Sequence, residues 1–223
     1  LKAINLATRF ELSPAQERLW FLEQMEGELT AYNMSYGWRL RGDLHNEALR
    51  QALEEIVRRH EPLRTTFVTV DEESVQVIGT NERFELPVDD ITVLESEQQE
   101  LEIMRRCRLE ADRPFDLSRD RMLRASLLRI AQDEHVLLLT MHHIASDGWS
   151  LGILWQEMAA LYDAYHHDKG SPLQELPIQY ADYAVWQRNE LQGERLEQLL
   201  QFWRRQLEGL TTLELPTDRP RPP

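Results

Sequence analysis

The chain has 223 residues, is 42% hydrophobic and 29% charged, and carries a formal net charge of -14 with a pI near 5.0. This length suits one large or two small domains with a sizeable core. The acidic balance argues against a nucleic-acid surface and against docking on anionic lipid, both of which need basic patches.

The N-terminal third is predicted to alternate helix and strand. In 12–25, "LSPAQERLWFLEQM", Ser13 and Gln16 form a capping box and Pro14 suits the first helical position. The next elements are a strand in 31–42 that ends near Gly42, an amphipathic helix in 44–60, and a β-hairpin made of 63–70, the turn 71–74 and 75–78.

The middle of the chain predicts a helix followed by two strands. Ser96 and Gln99 read as a second capping box that opens a helix over 97–111, and "RPFDLSRD" interrupts the pattern. Strands follow at 121–130 and 135–141, and the second is nearly all aliphatic, as expected of an interior strand covered on both faces.

Helices over 149–167, 178–191 and 193–210 close the pattern, and the Pro-rich 214–223 reads as an extended linker. This order of elements predicts a mixed α/β or α+β layered fold. The single cysteine, Cys107, excludes an internal disulfide and fits a reducing, cytoplasmic compartment. We find no signal peptide and no membrane-length apolar run in the sequence.

The stretch 141–150, "MHHIASDGWS", places His142 and His143 between the aliphatic strand and a helix. The Asp147-Gly148 pair is also ordinary turn chemistry, so the histidines could be incidental. Neighbouring strand residues face opposite sides, which argues against a shared metal ion and predicts that one histidine faces a reaction while the other packs inward. The flanking glycines of a nucleophile elbow are missing around Ser146 and Ser150. What remains is an imidazole that accepts a proton from an attacking amine or alcohol in direct acyl transfer.

The stretch 58–67, "RRHEPLRTTF", places Arg64 where a strand begins. Such a stretch is commonly just a cationic helix end that runs into a strand. An arginine at this point could nevertheless reach a buried carboxylate with bidentate geometry. We predict Asp147 as its partner, in a pair that holds the histidine loop.

Four ordered blocks of this sequence resemble the condensation domains of nonribosomal peptide synthetases. They are "LSPAQERLWFLEQM", "RHEPLRTTF", "MHHIASDGWS" and "YADYAVWQ". "RPFDL" and "LELPTDRPRP" are also typical of this family. The residues of the blocks resemble those of the subtype that joins an L-configured donor to an L-amino-acid acceptor. The resemblance implies an α/β (α+β) two-layer sandwich that forms one lobe of a chloramphenicol acetyltransferase-like fold, in a bacterial cytoplasm.

By motif position, the resemblance makes His143 catalytic, as a general base or as the group that positions the amine, and His142 structural. Asp147 carries over as the partner of Arg64, and the N–H of Gly148 as a possible oxyanion donor. The resemblance also implies that no cofactor is bound directly and that upstream and downstream carrier proteins deliver phosphopantetheine arms. The reaction that it implies is amide formation between their thioester-bound substrates.

Family members have about twice this length, so we expect residues 1–213 to be the N-terminal lobe and 214–223 the linker towards a C-terminal lobe. An adenylation domain is expected nearby in the same polypeptide, and the isolated lobe is expected to be inactive. Two alternatives stay open. One is an epimerisation domain or other acyltransferase of the same superfamily, and the other is a non-catalytic module that docks carrier proteins.

Overall fold

The computed structural model describes residues 9–27, 29–211, 213, 216, 218 and 219. The chain divides into two compact units, Leu1–Trp186 and Gln187–Pro223, which we describe separately. Most of the predicted linker at 214–223 lies outside the described residues, so it remains a prediction.

The elements of the first unit follow the predicted alternation of helices and strands. Its helices are α1 (Pro14–Glu26), α2 (Asn46–Arg59), α3 (Ser96–Ala111), α4 (Gly148–His166) and most of α5 (Tyr180–Glu190). Its strands are β1 (Arg9–Glu11), β2 (Asn33–Arg41), β3 (Thr65–Val70), β4 (Glu73–Ile78), β5 (Val88–Asp90), β6 (Leu123–Ala131) and β7 (Glu134–His142). A 3₁₀ turn, Glu61–Arg64, joins α2 to β3. The second unit holds the end of α5 and α6 (Gly193–Gln206).

The larger sheet has the order β2-β7-β6-β5, antiparallel except for the parallel β5–β6 pair. On one face of β7, Leu137, Leu139 and Met141 join the core formed with α2 and α4. On the other face, Val136 and Leu138 pack with Ile103 of α3. Helices thus cover both faces of this strand, which confirms its prediction as an interior strand and accounts for its aliphatic run.

The smaller sheet has the order β1-β4-β3 and contains the predicted hairpin. Val70 pairs with Glu73, so Asp71 and Glu72 form a two-residue turn. Both turn residues have positive φ, 50° and 69°, which matches the twist of the flanking strands. The short strands β1 and β5 were not predicted, since three residues are too few for a periodic signal.

The two predicted capping boxes had different outcomes. The Ser13–Gln16 box at the start of α1 is confirmed. The box at α3 was predicted one residue too late, because Glu95 is the N-cap and Gln98 completes the box. The side-chain amide of Gln99 instead donates to the carbonyls of Ile91 and Ile130, and this tethers the helix to the sheet.

The mixed α/β sandwich expected from the sequence is confirmed. Within the described residues, no helix combines the length and the apolar character that crossing a bilayer requires. The carboxyl end of the interior strand β7 leads directly into the loop 143–147 and then into α4, which places the histidine motif at the edge of the larger sheet.

Candidate active site

The histidine loop is shaped by the start of α4. Asp147 is the N-cap of this helix, and its Oδ1 accepts hydrogen bonds from the backbone N–H and the hydroxyl of Ser150 at 2.8 and 2.7 Å. The Ser150 hydroxyl in turn accepts from the Asp147 N–H at 3.3 Å. Gly148 opens the helix without a positive φ, so the Asp-Gly pair acts as a helix start rather than as a turn that needs glycine.

His142 packs inward, as the alternation of the strand predicts for one of the two histidines. It is 2% exposed and contacts the rings of Phe115 and Tyr32, with centroids 5.7 and 6.2 Å away. Its Nδ1 accepts a hydrogen bond from the Ile144 N–H at 3.1 Å. Burial, followed by the nearby charges of His143 and Arg124, lowers its pKa to about 4. His142 is therefore a buried imidazole that is neutral at neutral pH.

His143 is exposed, and its ring is oriented by the loop itself. Nδ1 lies 2.7 Å from the carbonyl oxygen of Ser146. A carbonyl only accepts hydrogen bonds, so Nδ1 must carry the proton. In the neutral ring Nε2 then holds the free lone pair, and it makes no hydrogen bond to any residue that the structure describes. The geometry thus prepares one specific nitrogen to accept a proton.

A cavity of about 380 Å³ opens to solvent beside His143. Its wall includes Ala15 and Arg18 of α1, Tyr32, and Tyr180 at the start of α5. The Tyr180 hydroxyl lies 3.0 Å from that of Ser13, so the first and fourth sequence blocks meet at this site. Neither block, as a sequence pattern, predicts a role for Arg18 or Tyr180, and Tyr32 lies outside both.

The predicted ion pair between Arg64 and Asp147 is wrong. The guanidinium of Arg64 donates to the carbonyls of Gly79 and Arg58 and lies 3.4 Å from the carboxylate of Glu61. The 3₁₀ turn keeps this side chain within its own connection to β3, while capping of α4 occupies Asp147. Asp147 lines the cavity beside His143, whereas Arg64 lines neither that cavity nor the neighbouring one.

A different arginine of the same block binds a carboxylate on α4. Arg59 is 3% exposed and forms a two-point ion pair with Glu157, at 3.2 Å from Nε and 3.1 Å from Nη2. His60 adds a contact of 2.7 Å between its Nε2 and Glu157. Burial raises the pKa of Glu157, but the hydrogen bonds from Arg59 and His60 outweigh this effect, and the pKa lies below its usual range. This cluster joins the end of α2 to α4.

Arg124 is a second residue that was not predicted from the sequence. Its guanidinium lies 3.8 Å from the centroid of the Phe115 ring and donates to the carbonyls of Arg113 and Pro114. Phe115 belongs to "RPFDL", which as a sequence pattern indicates only a helix break and a family resemblance. The sequence did hold a signal for Arg124, because this residue alternates with apolar residues in β6. A cation in a buried strand needs partners, so the pattern could have predicted a contact of this kind.

No group of three or more histidine, cysteine or carboxylate side chains in the described part of the chain is arranged to hold a metal ion. Cys107 is a free, partly buried thiol whose pKa burial raises above its usual value, which makes it a poor nucleophile.

We expect Asp147→Ala to lower the free energy of unfolding by about 1 kcal/mol, because the first turn of α4 loses its cap. Asp147→Ser retains an N-cap oxygen and should recover most of that loss. Urea unfolding of the 223-residue chain measures both values. An equal loss in the two variants would contradict capping as the role of this side chain.

We expect acid to destabilise the fold through His142. An imidazole with a depressed folded pKa stabilises the protein above the unfolded value near 6.5, and this contribution is lost as the pH falls towards 4. The loss amounts to about 3 kcal/mol over that window. His142→Asn keeps an acceptor for Ile144 but does not titrate, so it should flatten this part of the pH dependence.

The measurement is the free energy of unfolding by urea, at about pH 7 and at about pH 4.5. The first pH lies above the window and the second lies near its lower end. His167→Asn is the control, since His167 is an exposed histidine at the end of α4. It should retain the wild-type pH dependence, and equal pH dependences in all three proteins would disprove the role of His142.

The sheet, its flanking helices and a loop with one buried and one exposed histidine define one lobe of the chloramphenicol acetyltransferase-like class of folds. The sequence model of the family described as "Condensation domain" matches residues 7–223. The chain belongs to the condensation-domain family of nonribosomal peptide synthetases.

Curated relatives include a linear gramicidin synthase of Brevibacillus parabrevis, 47% identical over 220 residues, and chondramide synthase cmdD of Chondromyces crocatus, 45% identical over 211 residues. These matches cover 98% and 95% of this chain but only 4% and 5% of the relatives.

Two solved structures share the fold. The X-domain from teicoplanin biosynthesis has a TM-score of 0.84 and 32% identity, and the match covers 99% of this chain and 48% of that one. The starter condensation domain of rhizomide synthetase RzmA has a TM-score of 0.79 and 20% identity, with coverage of 92% and 49%. The chain therefore spans about half the length of these structures.

Proposed function

We propose that this chain is the histidine-bearing half of a condensation domain that forms an amide bond. The donor is a peptidyl or aminoacyl thioester, and the acceptor is the amine of a second aminoacyl thioester. The observation that carries the proposal is the state of His143, whose Nδ1 is held by the Ser146 carbonyl and whose Nε2 is left for a substrate beside an open cavity.

In this reaction the acceptor nitrogen attacks the thioester carbonyl carbon and forms the C–N bond. His143 Nε2 takes the proton that the amine loses. The C–S bond then breaks, and the proton passes to the leaving thiolate, so the products are an amide and a free thiol. Orientation of two tethered substrates supplies much of the rate, up to about 7–11 kcal/mol in favourable cases. The imidazole adds proton transfer or holds the amine in place.

The first residue of α4 is suited to a role at the developing oxyanion. Apart from its two chain neighbours and the backbone of its own helix, no described atom lies within 4 Å of the point where a Cβ on Gly148 would stand. A substrate oxygen could therefore approach the backbone at the helix N-terminus, where N–H groups favour negative charge.

The relatives support a proposal for the domains around this lobe. These relatives are long synthetases, and this chain matches only a small part of each. We propose that residues 1–213 form an N-terminal lobe and that 214–223 lead to a C-terminal lobe. Upstream and downstream carrier proteins would deliver both thioesters on phosphopantetheine arms. An adenylation domain would lie nearby in the same polypeptide, and the synthetase would work in the cytoplasm. The subtype is proposed to join L-configured residues, and the lobe alone is proposed to be inactive.

The test uses the complete condensation domain with donor and acceptor carrier proteins loaded with defined L-amino acids. Mass spectrometry of the acceptor carrier should find the dipeptidyl thioester and one released donor thiol. An inverted stereocentre without a new amide would instead support the epimerisation alternative. Tight binding of loaded carriers with neither product would support a docking module.

A further inference from the structure

A second cavity lies against the histidine loop. It has a volume of about 240 Å³ and shares Ala145, Ser146, Ser150 and Tyr180 with the wall of the His143 cavity. The loop and the first turn of α4 therefore separate two adjacent spaces, and only the larger one has His143 in its wall.

The smaller cavity is lined mainly by aliphatic side chains. They come from α2, the 3₁₀ turn, β7, α4 and the segment before α5, and include Ile56, Leu63, Met141, Ile153, Leu154 and Ile178. A cavity of about 150 Å³ with such a lining is large enough for benzene, so this one has room for a leucine or phenylalanine side chain.

The polar side chains in the wall are already engaged within the fold. The contacts are His60 with Glu157 at 2.7 Å, Gln179 with the Glu61 N–H and the Arg59 carbonyl, Ser146 with the His142 carbonyl, Ser150 with Asp147, and Tyr180 with Ser13. A charged or polar ligand group would therefore lose its hydration without gaining an equivalent partner. The cavity is selective for apolar groups.

The two cavities differ in the substrate that each can accept. The wall of the larger one includes Arg18, Asp147 and His143, so under the proposed function the amine that gives up its proton approaches from this cavity. The apolar side chain of the other substrate then has the smaller cavity beside the same loop.

We propose that the smaller cavity binds the aliphatic or aromatic side chain of the donor residue whose thioester carbonyl is attacked. The assignment rests on the proposed function and adds a substrate class to it. Ile153, on the second turn of α4, is then a specificity-determining residue, because its side chain limits the size of the space.

Binding of donor analogues tests this assignment in the 223-residue chain without requiring catalysis. The probes are N-acetylcysteamine thioesters of N-acetyl-leucine and N-acetyl-aspartate, which share the thioester and the blocked amine. Calorimetric titration should give a Kd at least tenfold lower for the leucyl probe, because the aspartyl carboxylate is desolvated without a partner.

Ile153→Trp should remove this preference by filling the cavity. Ile153 is 41% exposed, so the larger ring can be accommodated without repacking the core. Gln156→Trp adds the same bulk three residues further along α4, at an exposed position outside the cavity wall, and should keep the preference.

Several outcomes would overturn the assignment. They are no binding of the leucyl probe, equal Kd values for the two probes, or a leucine preference that survives Ile153→Trp. A free-amine leucyl thioester that binds tighter than the blocked probe, and loses that advantage in Ile153→Trp, would overturn the donor assignment.

His143→Ala separates this inference from the proposed function. It should leave the leucine preference of the lobe intact, since His143 does not line the smaller cavity. If the same variant formed amide normally in the complete domain, the proposed role of His143 would fail, while a retained leucine preference would still support the smaller cavity as a site for an apolar side chain.

Discussion

His143→Ala in the complete condensation domain is expected to reduce dipeptide formation by about 10²–10⁴-fold. Under the proposed mechanism the substitution removes the nitrogen that accepts the amine proton, while the tethered substrates still meet, so a residual rate should remain. The measurement is single-turnover formation of dipeptidyl carrier, followed by mass spectrometry. Binding of the loaded carriers should be nearly unchanged, because the imidazole acts on the reacting atoms.

His167→Ala is the matched control for this variant. His167 is also exposed, and its Nδ1 also donates to a backbone carbonyl, that of Asp163 at 2.7 Å. It lies at the far end of α4, so its removal should leave the rate within a factor of about two of wild type. A His143→Ala rate inside that same range would exclude His143 from the reaction.

Arg59→Ala is expected to cost about 3 kcal/mol of unfolding free energy, since removing one partner of a buried ion pair typically costs about 3–5 kcal/mol. The cost arises because the other charge is left without compensation. We expect the lower end of this range, since His60 still contacts Glu157. Urea unfolding of the 223-residue chain gives the value, with an unchanged dependence on urea concentration if the native state keeps its compactness.

Arg58→Ala is the neighbouring control. Arg58 pairs with Glu55 and Glu175, and its side chain is 35% exposed where that of Arg59 is 3% exposed. Because solvent screens Arg58 more, we expect its loss to be smaller, about 1 kcal/mol. Should Arg59→Ala fail to fold, the double variant Arg59→Met, Glu157→Met should restore a folded chain, because it removes both charges from the interior. A loss below about 1 kcal/mol for Arg59→Ala would mean that the pair does not hold α2 to α4.

Much of the fold could be predicted because its signals are local. The apolar period of 44–60, the capping box at Ser13 and the aliphatic run of β7 each lie within one element. The three-residue strands β1 and β5 depend on neighbours distant in sequence and had no such signal. The error at α3 is similar, since Gln99 is drawn away from capping by carbonyls 8 and 31 residues away.

The amino-acid sequence by itself determined the family, the alternating fold and the opposite orientations of His142 and His143, because motif order and strand alternation are properties of the chain. The tertiary structure decided which arginine of "RRHEPLRTTF" meets a carboxylate on α4, since Arg59 and Glu157 are 98 residues apart and only the packing of α2 on α4 brings them together. It also decided that two cavities flank the loop, and that the loop backbone turns the Ser146 carbonyl towards Nδ1 of His143. The ion pair and the cavities depend on distances and directions between elements, and the loop contact depends on backbone dihedral angles. Residue order encodes none of these in a local pattern.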